Sequence, residues 1–144
     1  MRFVTVEART HRPDEYSDVF DGYKAVQLVD GSGRIQGELV WRLATGNTVE
    51  ITELGVFDEA LRRKGWGTRL LDAGLESIRS FFAHKTYRLR RLYVFCDAIN
   101  DPARAFYKAH GFELACVIPG FYHYCDAALY VLDVEESSEV HGPA

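Results

Sequence analysis

A complete short helix can be recognised between Asn100 and Phe112, where the chain reads N-D-P-A-R-A-F-Y-K-A-H-G-F. Asp101 is predicted to cap this helix, and Pro102 suits its first position, where a backbone N–H is not needed. Gly111 supplies the left-handed residue that ends many helices. Apolar residues recur between them at three- and four-residue spacing, so one face is apolar and carries the Tyr107 hydroxyl. This phenol is either a core tyrosine or a catalytic one.

A strand, a basic turn and a long helix are predicted between Val49 and His84. β-branched residues mark the strand, and the helix over about residues 63–83 carries its apolar side chains on one stripe. Glycines at a helix N-terminus let backbone N–H groups approach an anion, which the helix dipole also favours. The turn holds a cluster of four cations, although the whole chain has a net charge of −4: Arg62, Arg63, Lys64 and Arg69. Such a cluster indicates a small, highly charged ligand rather than a nucleic acid, and a solvated basic loop is the alternative.

The two segments, in this order, resemble the GNAT acyltransferase superfamily. Arg62-x-x-Gly65-x-Gly67 is similar to its pyrophosphate loop, and Leu54-Gly55-Val56 to the strand that pairs with pantetheine. The helix from Asn100 to Phe112 is similar to the motif that follows. The resemblance extends over about residues 47–134, and no GxxxxGK[ST] phosphate loop or zinc-binding spacing competes with it.

The resemblance implies acetyl-CoA as the acyl donor, with no metal. It also implies an α/β fold in one domain over residues 1–134: a mixed, mostly antiparallel central sheet flanked by helices. The N-terminal helical region is expected to be shortened, because residues 9–22 leave room for one short helix at most. The implied cofactor-binding residues are Val56, Arg62, Arg63, Lys64, Gly65, Trp66, Gly67, Thr68, Asn100 and Tyr107.

The implied chemistry is transfer of the acetyl group from the CoA thioester to a primary amine by direct attack. Only a neutral amine can attack, and an amine with a pKa near 10.4 is about 0.04% neutral at pH 7. A general base is therefore useful, and Glu50 lies at a strand position where several family members carry a catalytic side chain. Thr52 and Glu53 stay open as alternatives, as does a surface role for Glu50. Tyr107 is expected to protonate the departing thiolate.

The residues between the last two predicted strands resemble the peptide-gripping segment of protein N-terminal acetyltransferases. Tyr122 and Tyr124 are candidates for acceptor binding, followed by the pair Asp126-Ala127. An aromatic hairpin over the edge of the core is the alternative. The base of ribosomal-protein alanine acetyltransferases would fall at Phe95, which cannot transfer a proton.

Three classes of function remain open. The first is an active N-acetyltransferase whose acceptor is a protein N-terminus, a lysine or a small-molecule amine. The second is a catalytically silent acyl-CoA-binding regulatory module, and the third is a scaffold that uses the fold for partner contacts. We expect a peptide or small-molecule amine as the partner, no nucleic acid and no membrane, with a homodimer as one oligomeric state open to the chain.

Strands are predicted near residues 3–8, 23–29, 34–44, 49–57, 90–96, 113–118 and 127–134, and a second helix over residues 102–110. Residues 135–144 are expected to be a frayed polar tail. Cys96, Cys116 and Cys125 form an odd set without close spacing, so reduced thiols and a cytoplasmic location are predicted. Burial inside strands is expected to keep two of them inert, which argues against cysteine nucleophilic catalysis.

Overall fold

A computed structural model describes residues 1–7 and 23–134 as a mixed α/β fold with a seven-stranded sheet and two α-helices. The sheet order is β1-β2-β3-β4-β5-β7-β6. The strands are β1 (Arg2–Glu7), β2 (Lys24–Val29), β3 (Ile35–Thr45), β4 (Thr48–Val56), β5 (Arg91–Asp97), β6 (Glu113–Ile118) and β7 (Ala127–Asp133). The helices are α1 (Trp66–Phe82) and α2 (Asp101–Ala109), and a 3-10 turn covers Glu59–Leu61. This architecture confirms the predicted fold class.

The residues group into two compact units. Of the described residues, the first comprises 1–7, 23–43 and 51–87, and the second comprises 44–50 and 88–134. The boundary falls within β3 and β4, so each unit takes part of those two strands.

In the first unit, β1 pairs antiparallel with β2, and β2 with β3, in agreement with the mostly antiparallel sheet that the family resemblance implies. Helix α1 packs on β2 and β1 through its apolar stripe. Gly74 allows this close packing, since a Cβ atom there would lie 2.6 Å from Cδ1 of Leu39. The buried residues of α1 are Leu70, Leu71, Gly74, Ile78 and Phe82.

The turn between β2 and β3 is built around one carboxylate. Asp30 Oδ1 accepts hydrogen bonds from the Ser32 amide at 2.8 Å, the Ser32 hydroxyl at 2.7 Å and the Arg34 amide at 3.0 Å. Its second oxygen accepts from Gln36 Nε2 at 2.8 Å. These donors, the Ser32 hydroxyl first, hold the Asp30 pKa well below its ordinary value. The carboxylate therefore stays ionised and orders the turn, in which Gly33 adopts the left-handed region.

In the second unit, β7 pairs antiparallel with both β5 and β6. The register with β6 shifts between Leu114 and Cys116, which indicates a bulge in that strand. Helix α2 packs on β6, and its buried residue is Tyr107. The apolar core of this unit includes Leu92, Val94 and Phe112.

Most predicted boundaries agree with the structure to within one or two residues. Helix α1 begins at Trp66 rather than near Arg63, because residues 62–65 form a turn and Gly65 is the N-cap. The prediction that Asp101 caps α2 is wrong: the Asn100 side chain accepts from the Ala103 amide at 3.1 Å and is the cap. The short helix expected within residues 9–22 and the tail expected over 135–144 lie outside the described residues.

Candidate functional site

The N-terminus of α1, in the first unit, has the local structure of an anion-binding turn. Arg63 has a φ of 63° and Gly65 a φ of 84°, so two residues of the turn adopt left-handed backbone. The first helical hydrogen bond runs from the Arg69 amide to the Gly65 carbonyl at 3.1 Å. The amides of Trp66 and Gly67 precede that bond in the first turn of the helix, and Gly65 makes no side-chain cap hydrogen bond. The positive end of the helix dipole therefore faces outward through N–H groups that suit a phosphate.

The four cations around this turn divide into two pairs. Arg62 is held by its own chain, since its Nε donates to the Val56 carbonyl at 3.0 Å and its Nη2 to the Phe57 carbonyl at 3.5 Å. The Arg69 guanidinium lies 4.2 Å from the ring centroid of Trp66. Arg63 and Lys64 extend from the exposed part of the turn. Arg62 thus ties the turn to the end of β4, while the exposed pair supplies positive charge.

The end of β4 is held close to β3 in the first unit. The Phe57 amide donates to the Gln36 carbonyl at 2.8 Å. A Cβ atom at Gly37 would meet the Gly55 carbonyl oxygen at 2.9 Å, so glycine is required at that crossing. These contacts and Arg62 place the backbone of Val56, the residue predicted to pair with pantetheine.

Tyr107 lies on the buried face of α2 in the second unit, with 6% of its surface exposed. Its ring packs against Phe106, Phe112 and Tyr130, with centroid distances of 5.5, 5.4 and 6.0 Å. Burial, and to a smaller extent the nearby Cys96 thiol, raises the pKa of Tyr107 to about 12. The phenol therefore keeps its proton throughout the physiological pH range.

Glu50, on the part of β4 that belongs to the second unit, is half-buried beside β5. The Tyr93 hydroxyl lies 3.5 Å from Glu50 Oε1, the outer limit of a hydrogen bond. The alternative Thr52 donates its hydroxyl to the Val40 carbonyl at 3.3 Å, in the first unit. The alternative Glu53 is exposed. Of the three candidates, Glu50 is the carboxylate that is partly buried.

A chain of aromatic rings follows from Tyr93 in the second unit. We call its five members the aromatic row: Tyr93, Phe95, Phe121, Tyr122 and Tyr124. Consecutive ring centroids lie 5.9, 5.0, 5.1 and 5.6 Å apart in that order. Phe95, which cannot serve as a base, stacks on Phe121 with an interplanar angle of 13°. Both predicted acceptor residues, Tyr122 and Tyr124, thus belong to one continuous series of ring contacts.

The sequence analysis missed Asp97, which closes the aromatic row at its far end. The Tyr124 hydroxyl lies 3.0 Å from Asp97 Oδ1 and 2.9 Å from Oδ2, within donating distance of both oxygens. Tyr93, Phe95 and Asp97 alternate along β5, so they share one face of the strand. That alternation was available in the sequence, and it would have linked Asp97 to Phe95.

The pKa of Tyr122 is affected by several groups of the second unit. Burial raises the Tyr122 pKa above its ordinary value, and the negative charges of Asp97 and Glu50 raise it further. Both carboxylates therefore act on the same phenol. Cys96 also acts on Tyr122 as well as on Tyr107.

All three cysteines belong to the described residues, and each is a free thiol. Burial raises the pKa of the Cys96 and Cys125 thiols, which lowers their thiolate fraction and their reactivity. Cys116 is exposed on β6 rather than buried, since the whole outer strand faces solvent except for its last residue. The prediction of buried thiols thus fails for Cys116.

Neither a membrane span nor a metal cluster is found in the part of the chain that the structure describes. Neither described helix is long and apolar enough to cross a bilayer. Within residues 1–7 and 23–134, no three or more His, Cys, Asp or Glu side chains are grouped as metal ligands would be.

Known proteins resemble this chain in sequence and in fold. Residues 7–112 match the model of the acetyltransferase (GNAT) family, whereas no curated protein matches the sequence. The fold is similar to an IAA acetyltransferase from Bacillus cereus ATCC 14579, with a TM-score of 0.71 and 16% identity over 92% of this chain and 100% of that one. It is also similar to a GNAT acetyltransferase from Elizabethkingia anophelis with acetyl-CoA bound (TM-score 0.70, 14% identity, 92% and 98% covered). A third similar structure is Arabidopsis thaliana NAA60 in complex with a bisubstrate analogue (TM-score 0.66, 18% identity, 92% and 99% covered).

Proposed function

Since the chain belongs to the GNAT acetyltransferase family, we propose that it is an acetyl-CoA-dependent N-acetyltransferase acting on a primary amine. The observation that carries this proposal is the basic N-terminus of α1, where Gly65 makes no side-chain cap and the helix dipole suits a pyrophosphate. The family match includes residues of both units, which supports treating residues 1–134 as one acetyltransferase domain. The three free thiols favour a cytoplasmic location.

In this proposal the amides of the turn hold the CoA pyrophosphate, and Arg63 and Lys64 add charge. Arg62 acts by keeping the turn attached to Val56 through its hydrogen bond of 3.0 Å. Val56 offers its backbone to pantetheine, and Asn100 secures the start of the Tyr107 helix through its cap. The bound donor would present its thioester for attack.

The transfer needs two proton movements. A C–N bond forms as the thioester C–S bond breaks, so the attacking nitrogen must lose a proton and the thiolate must gain one. We assign the first task to Glu50, acting directly or through water, because a half-buried carboxylate beside Tyr93 can accept a proton from an amine. Making a lysine-like amine neutral at pH 7 costs about 4.6 kcal/mol, which is the barrier contribution that this base lowers.

The raised pKa of Tyr107 defines how it can help the leaving group. Complete transfer from a phenol with a pKa of about 12 to a thiolate whose thiol has a pKa near 8.5 is uphill by about 4.8 kcal/mol. A hydrogen bond to the developing thiolate avoids that cost and still stabilises the transition state. We therefore assign Tyr107 the role of hydrogen-bond donor to the departing sulfur, with the final proton reaching the thiolate from solvent or from the amine.

Two measurements test the proposed function. Calorimetric titration with acetyl-CoA is expected to give saturable binding, and thiol release with a panel of primary amines is expected to require both substrates. Binding without thiol release for any amine would favour the silent acyl-CoA-binding module. Absence of binding would leave the scaffold function.

A further inference from the structure

An open pocket beside α2 in the second unit takes no part in the proposed transfer. Its volume of about 460 Å³ lies within the range of small-molecule sites. Residues of α2, β6, β7 and the turn between α2 and β6 line it. The side chains that give the pocket its character are Arg104, Lys108, Phe112, Glu113, Leu114 and Tyr130. Charged and apolar groups thus meet within a single unit.

One wall of the pocket carries two positive charges on α2. Arg104 donates from Nε to the Tyr130 hydroxyl at 3.0 Å and from Nη1 to the Ala98 carbonyl at 2.9 Å. Both acceptors are uncharged groups, so these bonds fix the guanidinium without neutralising it. Lys108 follows Arg104 by four residues, so the two cations lie on the same face of the helix. A guanidinium held in place beside an ammonium group suits a carboxylate ligand.

The start of β6 adds a negative charge to the same pocket. Glu113 is the first residue of β6 and is exposed, as is Lys108. Among the described residues, no salt bridge or side-chain hydrogen bond engages Lys108 or Glu113. Both charges are therefore available to a ligand. A simple anion would meet the Glu113 carboxylate as well as the cations, whereas a zwitterion satisfies charges of both signs.

The remaining surface of the pocket is apolar. Phe112 and Tyr130 are buried, with 2% and 5% of their surfaces exposed, and they form its inner part. Leu114, on the outer strand, leaves 45% of its surface exposed. A ligand side chain that packs on Leu114 removes this apolar surface from water, which is favourable. The pocket thus favours a zwitterion that also carries an apolar group.

We propose that this pocket binds a free α-amino acid with a large apolar side chain. Arg104 and Lys108 bind its carboxylate, and Glu113 binds its ammonium group. The side chain of the ligand covers Leu114. This inference does not rest on the proposed function, because none of these four residues takes part in acetyl transfer there.

The test is a calorimetric titration of the full chain, without acetyl-CoA, with L-phenylalanine, L-leucine, hydrocinnamate and phenethylamine as probes. Hydrocinnamate is L-phenylalanine without its ammonium group, and phenethylamine is L-phenylalanine without its carboxylate. Saturable binding is expected for both amino acids. Each truncated probe is expected to bind about 10- to 100-fold more weakly than L-phenylalanine, since it lacks one charge-assisted hydrogen bond.

Two substitutions identify the residues that bind each end of the ligand. Glu113→Gln should weaken L-phenylalanine until its affinity equals that of hydrocinnamate, whose own binding should not weaken. Lys108→Met should weaken L-phenylalanine and hydrocinnamate by about 3- to 10-fold, because Arg104 still binds the carboxylate, and leave phenethylamine unchanged. Asp72→Asn alters an exposed carboxylate on α1 in the first unit and is the matched control with unchanged affinities.

Three results would overturn the amino-acid site. The first is that neither amino acid binds saturably to the folded protein, and the second is that L-phenylalanine and hydrocinnamate bind equally well. The third is binding that Glu113→Gln and Lys108→Met both leave unchanged, because the amino acid would then lie elsewhere on the chain. Each of these results leaves the proposed acetyl transfer intact, since the titration contains no acetyl-CoA.

Discussion

The two units of the chain present opposite chemistry. The first exposes backbone N–H groups, Arg63 and Lys64 at the N-terminus of α1. The second exposes aromatic faces between Glu50 and Asp97. Under the proposed function this difference follows from the two substrates, because the acyl donor carries phosphates and the acceptor carries ammonium groups. The net charge of −4 for the whole chain does not indicate this separation of positive and negative groups.

The largest effect is expected on acetyl-CoA binding, from a substitution that blocks the basic turn at the N-terminus of α1. Gly67→Val places a branched side chain where the backbone must approach the pyrophosphate, so acetyl-CoA binding should be lost in calorimetry. Gly31→Val is the matched control, because nothing lies within 4 Å of a Cβ atom at that exposed turn. Unchanged affinity in a folded Gly67→Val protein would remove the basic turn from the donor site.

The next effect concerns the leaving group and belongs to the second unit. Tyr107→Phe should lower kcat by about 10²- to 10⁴-fold while acetyl-CoA affinity changes little, because the phenol acts in the transition state. The hydrogen-bonding role favours the lower end of this range. Tyr87→Phe, which alters an exposed tyrosine in the first unit, is the control. A near-normal kcat for Tyr107→Phe would mean that the ring only packs.

A smaller and pH-dependent effect is expected at the base. Glu50→Gln keeps the shape of the side chain but removes its basicity, so kcat/KM should fall by about 10- to 100-fold near neutral pH. Activity should partly return near pH 9, where more amine is neutral, and more fully for an α-amine with a pKa near 8 than for a lysine-like amine near 10.4.

The matched control for this base is Glu53→Gln, which changes the exposed alternative carboxylate. A loss of equal size at every pH would make Glu50 a positioning residue. No loss in Glu50→Gln together with a loss in Glu53→Gln would move the base to Glu53.

The smallest effect is on stability at alkaline pH. The Tyr107 pKa of about 12 in the folded chain exceeds the ordinary value near 10, so the unfolded chain ionises first and stability falls between pH 10 and 12. From pH 9 to pH 11 this phenol should remove about 1 kcal/mol from the free energy of unfolding in urea. Tyr107→Phe should lose less over the same interval. Equal losses in both proteins would mean that Tyr107 is not buried as described.

Local signals explain why much of the fold could be predicted. The β-branched residues of the strands, the apolar stripe of α1 and the left-handed Gly111 are all local features of the sequence. The start of α1 was misplaced because Arg63 adopts a left-handed φ of 63°, which residue type alone does not indicate. The α2 cap was misplaced because Asn and Asp are both good caps, and only the geometry selects Asn100.

The candidate site was less predictable than the fold. The basic turn was visible because its residues are consecutive, whereas the aromatic row joins β5 to the segment before β7. Asp97 was missed because its partner, Tyr124, lies 27 residues away in the sequence. No periodic pattern in the sequence predicts that contact. The sequence shows that Arg62 is charged, but it does not show that its side chain donates hydrogen bonds to two carbonyls of its own chain.

The most direct test of the central claim is a stoichiometric one. The protein is incubated with acetyl-CoA, with and without each member of a panel of primary amines, and CoA thiol, acetylated amine and acetylated protein are quantified by mass spectrometry. Direct N-acetyl transfer predicts one acetylated amine for each thiol released, no release without amine, and no acetyl group left on the protein. An acetylated cysteine that forms without amine and is consumed on its addition would contradict direct attack, and acetyl-CoA binding with no product from any amine tested would contradict the enzyme itself.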